Sequence, residues 1–196
     1  MAWSVPRTWI AGEVLTAALL NTHLRDQLLA LRESYGTTLP ASPADGDVAV
    51  LVDSLTAPTY QWRFRYNAGS SAADKWECLG GVPAKVSGAT LTVASTTATD
   101  YTGGSITVPR QGVYDCRFGA NATNTGSGAK YLDLIAAGTT VKTQTMGNRA
   151  DSFGSGEART ASIAAASAIK IAGRGGDATS STFDSGYLFV MPVRVS

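Results

Sequence analysis

The sequence predicts a mainly β protein that begins with an extended arm and one short α-helix. Glycine, alanine, serine and threonine are abundant, whereas charged residues make up only 16% of the 196 residues. From residue 45 onward, short apolar or alternating segments recur between clusters of turn-forming residues, a pattern typical of β-strands. Helical periodicity occurs in one stretch only, TAALLNTHLRDQLLAL, residues 16–31. The apolar share of 44% is sufficient for a normal hydrophobic core.

Residues 1–15, MAWSVPRTWIAGEVL, are expected to form an arm. Pro6 biases the residue before it toward extended structure, and Gly12 weakens any helix that would run through it. Trp3 and Trp9 are large apolar groups on a segment too short to form its own core. Exposed to water, each would present up to about 150–250 Å² of surface. We therefore predict that these two tryptophans are docking anchors.

The helix predicted over residues 16–31 begins at Thr16, a suitable N-cap. Leu20, Leu24, Leu28 and Leu31 follow at spacings of four, four and three, which places them on one stripe. A helix of this length is marginal alone, so the stripe must pack either on its own domain or on identical helices from sister chains. Two leucine heptads are too short for a stable coiled coil, so helix association would need a second oligomerising element.

Residues 45–81 predict a small antiparallel β-meander. In YQWRFRYN, residues 60–67, aromatic and polar side chains alternate strictly, which is typical of a strand with one buried face. The residues expected on the buried face are Tyr60, Trp62, Phe64 and Tyr66. Arg63 and Arg65 lie on the opposite face, where they either contact solvent or dock an acidic partner.

Residues 84–196 contain many short strand-like segments with no helical period between them, which indicates a β-sandwich or jelly roll. Two glycine-rich intervals, Asn124–Gly128 and Gly147–Gly156, are expected to be exposed loops. The segment AGRGGDATSS, residues 172–181, is expected to be a hairpin turn. The predicted organisation is an arm and helix over residues 1–39, the meander over 40–83 and the head over 84–196.

Charge and hydropathy argue against several classes of function. The net charge is +1 with no basic run, so nucleic-acid binding has little support. No segment approaches the roughly 20 continuous apolar residues of a membrane helix. The arm does not resemble a signal peptide, because Trp3, Pro6, Arg7 and Trp9 interrupt any apolar central region. Cys78 and Cys116 lie in strand-like segments and are expected to be buried free thiols, which fits synthesis in a reducing cytoplasm.

No catalytic, cofactor-binding or metal-binding motif is recognisable. His23 is the single histidine, and two isolated cysteines do not complete a zinc site. There is no nucleophile elbow and no phosphate-binding loop. The carboxylates that could serve a polysaccharide depolymerase are scattered without a paired spacing: Asp133, Asp151, Glu157, Asp177 and Asp184. The sequence therefore predicts a protein that is not an enzyme and has no cofactor.

Several motifs resemble the N-terminal regions of bacteriophage tail and virion fibre proteins of the actinobacterial phage type. They are TW, GEVLTAALLNTHLRDQLLAL, DGD and WRFRYNAGSSAADKWECLGG, which together span about residues 8–83 in this order. The remainder is similar to the trimeric jelly rolls of the TNF and complement type. The similarity is carried by ITVPRQGVYDCRF and by the aromatic last strand, SGYLFVMPVRV.

The resemblance implies a homotrimeric virion protein made in the host bacterial cytoplasm, with helices bundled at the attachment end and jelly rolls at the far end. Its partners would be other virion proteins and a host cell-surface glycan. A tail-tip or baseplate fibre is the first expectation, and a head, collar or capsid spike is the alternative. A depolymerase and a soluble TNF-like ligand are alternatives of other classes; the phage-like arm argues against the latter.

Overall fold

The computed structural model of the chain describes residues 10–25, 33–124, 128–147 and 151–196. Within these ranges the protein consists of thirteen β-strands, one short α-helix and one π-helical turn. The strands form two sheets, which confirms the predicted mainly β fold class with an N-terminal helix.

The helix α1 covers Ala17–Leu20 and continues into a π-helical turn over Asn21–Arg25. The Thr16 side chain accepts a hydrogen bond from the backbone N–H of Leu19 at 3.2 Å, which confirms the predicted N-cap. Within the described residues the α-helix ends at Leu20, and residues 26–31 of the predicted helix lie outside those residues. Asn21, Thr22 and His23 have lower helix propensities than the preceding alanines and leucines, and α1 buries no residue that would offset this.

Four strands precede the head: β1 Ser34–Gly36, β2 Val48–Val52, β3 Gln61–Tyr66 and β4 Trp76–Val82. Strands β2, β3 and β4 form the predicted antiparallel meander. Along β3, Trp62 and Phe64 are fully buried while Arg63 and Arg65 are exposed, so the predicted alternation is confirmed. Strand β1 was not predicted; it pairs in parallel with β2.

The head strands are β5 Ala84–Ser87, β6 Leu91–Val93, β7 Thr99–Thr107, β8 Gly112–Asn124, β9 Lys130–Ala136, β10 Thr139–Thr145, β11 Asp151–Arg159, β12 Ala168–Gly175 and β13 Ser181–Val195. One sheet contains the order β6-β13-β8-β11, and β5 also pairs with β13. The other has the order β10-β9-β12-β7. Numbered from β6 to β13, the two sheets read 1-8-3-6 and 2-7-4-5. This is the strand order of a jelly roll, as predicted.

The meander continues into the larger sheet of the jelly roll. Strand β4 pairs with β13 through Trp76 opposite Val195, so one nine-stranded sheet runs from β1 to β11. The loop before β4 is also fixed to the head, since the buried Asp74 accepts hydrogen bonds from Ser162 Oγ at 2.9 Å and Gln111 Nε2 at 3.4 Å. Strands before and after residue 83 therefore belong to one sheet. The predicted domain boundary between residues 83 and 84 stays a prediction.

The predicted loop Gly147–Gly156 is partly wrong, because residues 151–156 belong to β11 and pair with β8. The glycines that suggested a loop are needed for packing inside the sandwich. A Cβ atom on Gly154 would lie 2.5 Å from Met146 Cγ, and one on Gly156 would lie 2.9 Å from the Phe118 ring. The other predicted loop, Asn124–Gly128, lies largely outside the described residues.

The segment AGRGGDATSS is not a hairpin turn. Strands β12 and β13 on either side of it belong to different sheets, so the chain crosses from one layer of the sandwich to the other. Asp177 shapes this crossing by accepting a hydrogen bond from the backbone N–H of Thr179 at 3.0 Å. The sequence pattern of two strands around a glycine-rich turn is the same for a hairpin and for a crossing between the two sheets, so it could not separate these alternatives.

The core lies between the inner faces of the two sheets and includes Phe118, Leu132, Ile171 and Leu188, all fully buried. It extends under the meander, where Trp62 lies 6.3 Å from the Tyr114 ring. Both cysteines are free thiols; Cys116 is buried and Cys78 is half-buried. Burial raises the pKa of Cys116 to about 12. Among the described residues, no helix is long and apolar enough to cross a membrane.

Candidate interaction surfaces

One side of the larger sheet faces away from the core and carries alternate residues of β5, β13, β8 and β11. We call this surface the outer face. The strand registers place Lys85, Phe189, Arg117 and Glu157 in one row across it, and Asn121 and Phe153 in another. The outer face includes Lys85, Asp115, Arg117, Gly119, Phe153, Glu157, Arg159, Tyr187, Phe189 and Met191.

Aromatic side chains form an apolar ridge along β13 on this face. The rings of Tyr187 and Phe189 meet edge to face, with centroids 5.6 Å apart. Gly119 on the neighbouring strand makes room for this arrangement, because a Cβ atom there would lie 2.7 Å from the Tyr187 ring. Lys85 places its ammonium 5.2 Å from the Phe189 centroid, a cation–π contact.

Two ion pairs join β8 to β11 beside the ridge. Arg159 binds Asp115 in a bidentate manner, with Nε–Oδ1 and Nη2–Oδ2 distances of 2.7 and 2.9 Å. Arg117 Nε lies 2.8 Å from Glu157 Oε1. Each pair joins residues directly opposite across the ladder, and Arg159 lowers the pKa of the Asp115 carboxyl. These exposed pairs add little stability, but each pair is electrically neutral.

The outer face is shallow and partly apolar. A depression of about 320 Å³ lies between Pro83, Asp115, Arg117, Phe189 and Met191. At the sheet edge, the Phe153 side chain is 62% exposed. An apolar, aromatic centre with arginines and a polar rim is the composition typical of protein–protein contact surfaces. The alternation in GYLFVMPVRV could have revealed this ridge from the sequence, whereas Phe153 could not be found, since glycines made its strand look like a loop.

The described part of the N-terminal segment is a second apolar surface. Ile10, Val14 and Leu15 all have more than half of their surface exposed. The predicted oligomerisation residues Leu20 and Leu24 are 37% and 51% exposed, so they do not pack into the chain's own core. The remaining predicted residues, Trp3, Trp9, Leu28 and Leu31, lie outside the described residues. The segment therefore carries apolar groups that its own domain leaves uncovered.

The polar face of the meander is a weaker candidate for an interaction surface than the outer face or the N-terminal segment. Arg63 forms an ion pair with Glu33 within the chain, just before β1. Arg65 is exposed on the same face of β3, directly opposite Glu77 on β4. The intrachain pairing of Arg63 gives this residue a structural role next to the N-terminal segment.

Three of the five carboxylates considered for catalysis occupy separate structural environments. Asp133 is buried, accepting hydrogen bonds from Arg174 Nε at 2.8 Å and Thr143 Oγ1 at 2.5 Å. Glu157 is paired on the outer face and Asp177 caps its own turn. His23 lies in the π-helical turn. Across the described ranges, no group of three histidine, cysteine or acidic residues is arranged to hold a metal ion.

Comparison with known proteins places the chain in no established family. No family model matches the sequence. No curated protein matches it either. Among solved structures, one described as "EclA C-terminal domain; sugar-binding protein" gives a TM-score of 0.36 at 10% identity, covering 64% of this chain and 89% of that one. The Stig cyclase Fisc from Fischerella sp. TAU gives a TM-score of 0.27 at 12% identity, covering 80% of this chain and 81% of that one. At these TM-scores, neither similarity carries a functional conclusion.

Proposed function

We propose that this protein is a structural component of a bacteriophage particle, a short trimeric tail fibre or baseplate spike. Its N-terminal segment attaches it to the particle, and its jelly-roll head is presented for binding to the host surface, with a cell-surface glycan as the receptor class. The sequence resemblance over residues 8–83 supports the virion assignment. The same account applies to a head, collar or capsid spike, which differs only in the site of attachment.

The observation that carries this proposal is the uncovered apolar N-terminal segment. Five exposed apolar side chains precede the well-packed β structure: Ile10, Val14, Leu15, Leu20 and Leu24. Fully burying one such side chain contributes about 1.5–3 kcal/mol, so a partner that covered the segment would gain a substantial free energy. Sister helices and a docking site on the particle are the partners that account for both the leucines and the arm.

The outer face supplies the second oligomerising element that the short helix requires. In a threefold arrangement each head uses one surface against its neighbour and receives the neighbour on another. The ridge of Tyr187 and Phe189, together with the exposed Phe153, provides apolar area for this contact. The balanced ion pairs beside the ridge allow close approach without net repulsion between identical chains.

The proposal is tested by measuring incorporation of the full-length chain into phage particles. Bacteria that produce the particles would express either the wild-type chain or the double variant Leu20→Asp, Leu24→Asp. Quantitative mass spectrometry of purified particles should find the wild-type chain in multiples of three copies. The double variant should be reduced at least about tenfold, because buried, unpaired aspartates would oppose helix association.

The matched control is Leu55→Asp, which changes another exposed leucine, in the loop between β2 and β3. This variant should be incorporated normally. Normal occupancy of the N-terminal double variant would contradict the proposed attachment, and absence of the wild-type chain from particles would contradict the virion assignment. Release of reducing ends from host polysaccharide by the purified chain would instead favour a depolymerase.

A further inference from the structure

A cleft lies between the linker that follows β1, the meander and the head. Its walls are residues 38–43, which lead from β1 toward β2, together with Tyr66 and Trp76 of the meander and Arg110 of the head. Its volume is about 580 Å³, within the range of roughly 300–1,000 Å³ usual for ligand sites. We call this feature the linker cleft. It is separate from the outer face, and its linker wall follows the proposed attaching segment along the chain.

Two cations that have no acidic partner among the described residues border the linker cleft. Lys75 donates one hydrogen bond from Nζ to the carbonyl oxygen of Ala68 at 3.0 Å, which leaves two of its three donors unused. The Arg110 guanidinium, with five donors, makes no hydrogen bond or ion pair within the described part of the chain. Among the described residues, no acidic side chain lines the cleft, so no side chain of its walls balances these two positive charges.

The rest of the wall is apolar and well fixed. The rings of Tyr66 and Trp76 meet edge to face with centroids 5.2 Å apart, and Leu39 beneath them is buried. Pro40 and Pro43 have no backbone N–H and are partly exposed, so they add rigid apolar surface. A ligand that fits must combine an apolar group with one or two anionic groups.

We propose that the linker cleft binds an extended acidic peptide segment of a neighbouring virion protein. One carboxylate would bind between Lys75 and Arg110, and an adjacent apolar side chain would pack against Tyr66 and the two prolines. An extended peptide suits this chemistry, since its successive side chains point to opposite sides and present different groups to different walls. The identification of the partner as a virion protein rests on the proposed function, because the linker wall of the cleft follows the attaching segment along the chain.

The test measures binding of a defined probe to the full-length chain. The probe is a fluorescein-labelled pentapeptide, Gly-Glu-Trp-Glu-Gly, and fluorescence anisotropy reports its binding. Saturable binding with a Kd on the order of 0.1–1 mM is expected, because the contacts are few and they are exposed to solvent. Lys75→Ala combined with Arg110→Ala should weaken binding at least about tenfold. A probe with glutamine in place of both glutamates should lose affinity by a similar factor.

Lys85→Ala is the matched control, because it removes a cation from the outer face and leaves the linker cleft intact. It should leave the Kd unchanged. No saturable binding, or binding insensitive to the double variant, would overturn the proposal. A glucuronate-containing oligosaccharide that binds more tightly than the peptide through Lys75 and Arg110 would overturn the peptide assignment in favour of an acidic glycan.

The oligomeric state and particle incorporation do not enter this measurement. A monomeric chain that still binds the acidic peptide through Lys75 and Arg110 would leave the cleft assignment supported while the proposed fibre failed. A chain that is trimeric and incorporated into particles but does not bind the peptide would support the proposed fibre and overturn the cleft assignment.

Discussion

Phe153 gives a sharp test of whether the outer face is buried between copies of the chain. Its side chain is 62% exposed in a single chain and lies on the edge strand β11, opposite Asn121 of β8. Replacing it with alanine leaves the backbone pairing intact and removes no core contact of comparable size. Within one chain, such a surface substitution should change the free energy of unfolding by less than about 0.5 kcal/mol.

The effect on association should be much larger. A phenylalanine contributes about 150–250 Å² when fully buried, so its exposed fraction corresponds to about 90–155 Å² available for a neighbour. At about 25 cal/mol per Å² this gives about 2–4 kcal/mol for each chain that buries it. Phe153→Ala should therefore raise the concentration at which the oligomer half-dissociates by at least about tenfold.

Sedimentation velocity over a dilution series of the full-length chain measures this shift. Leu55→Ala is the matched control, because Leu55 is 63% exposed and lies in the loop between β2 and β3, away from the outer face. It should leave the dissociation midpoint unchanged. An unchanged midpoint in Phe153→Ala, or an equal shift in both variants, would refute the assignment of the outer face to the contact.

Three further predictions concern the fold. Gly81→Ala should lower the free energy of unfolding by at least about 2 kcal/mol in urea denaturation, because a Cβ atom there would lie 2.0 Å from a carbonyl oxygen of β3 at a φ of +135°. Cys116 and Cys78 should react slowly with Ellman's reagent in the native protein and completely in denaturant, since burial raises the pKa of both thiols. Asp115→Asn should cost at most about 1 kcal/mol at pH 7, because the ion pair is exposed. Its partner arginine lowers the pKa of the Asp115 carboxyl, so this contribution is present above the usual value of 3.8 and is lost as the pH falls through the lower folded value. Urea titrations of wild type and variant across that range should therefore converge at low pH.

The parts of the fold that the sequence predicted are those with local signals. The alternation in YQWRFRYN determines which side of β3 is buried, and Thr16 marks the beginning of the helix through its own hydrogen bond. In each case the residue pattern and the structural consequence lie within a few positions of one another. For the same reason, most head strands could be recognised, since each is a short apolar or alternating run between turn residues.

The features that were missed depend on contacts between distant residues. Gly154 and Gly156 belong to a strand because Met146 and Phe118 fill the space beside them. The addition of β4 to β13 joins residues more than a hundred positions apart, and nothing in either segment specifies that pairing. The linker cleft likewise combines residues from the linker, the meander and the head, so no single motif contains it.

The central claim is that three copies of this chain associate through the N-terminal helices and the outer faces of the heads. Multi-angle light scattering of the purified full-length chain at micromolar concentration tests it most directly. A molar mass of three times the 20.3 kDa chain is the expected result. A mass equal to one chain across the micromolar range would contradict the account, because both apolar surfaces would then be exposed without a partner.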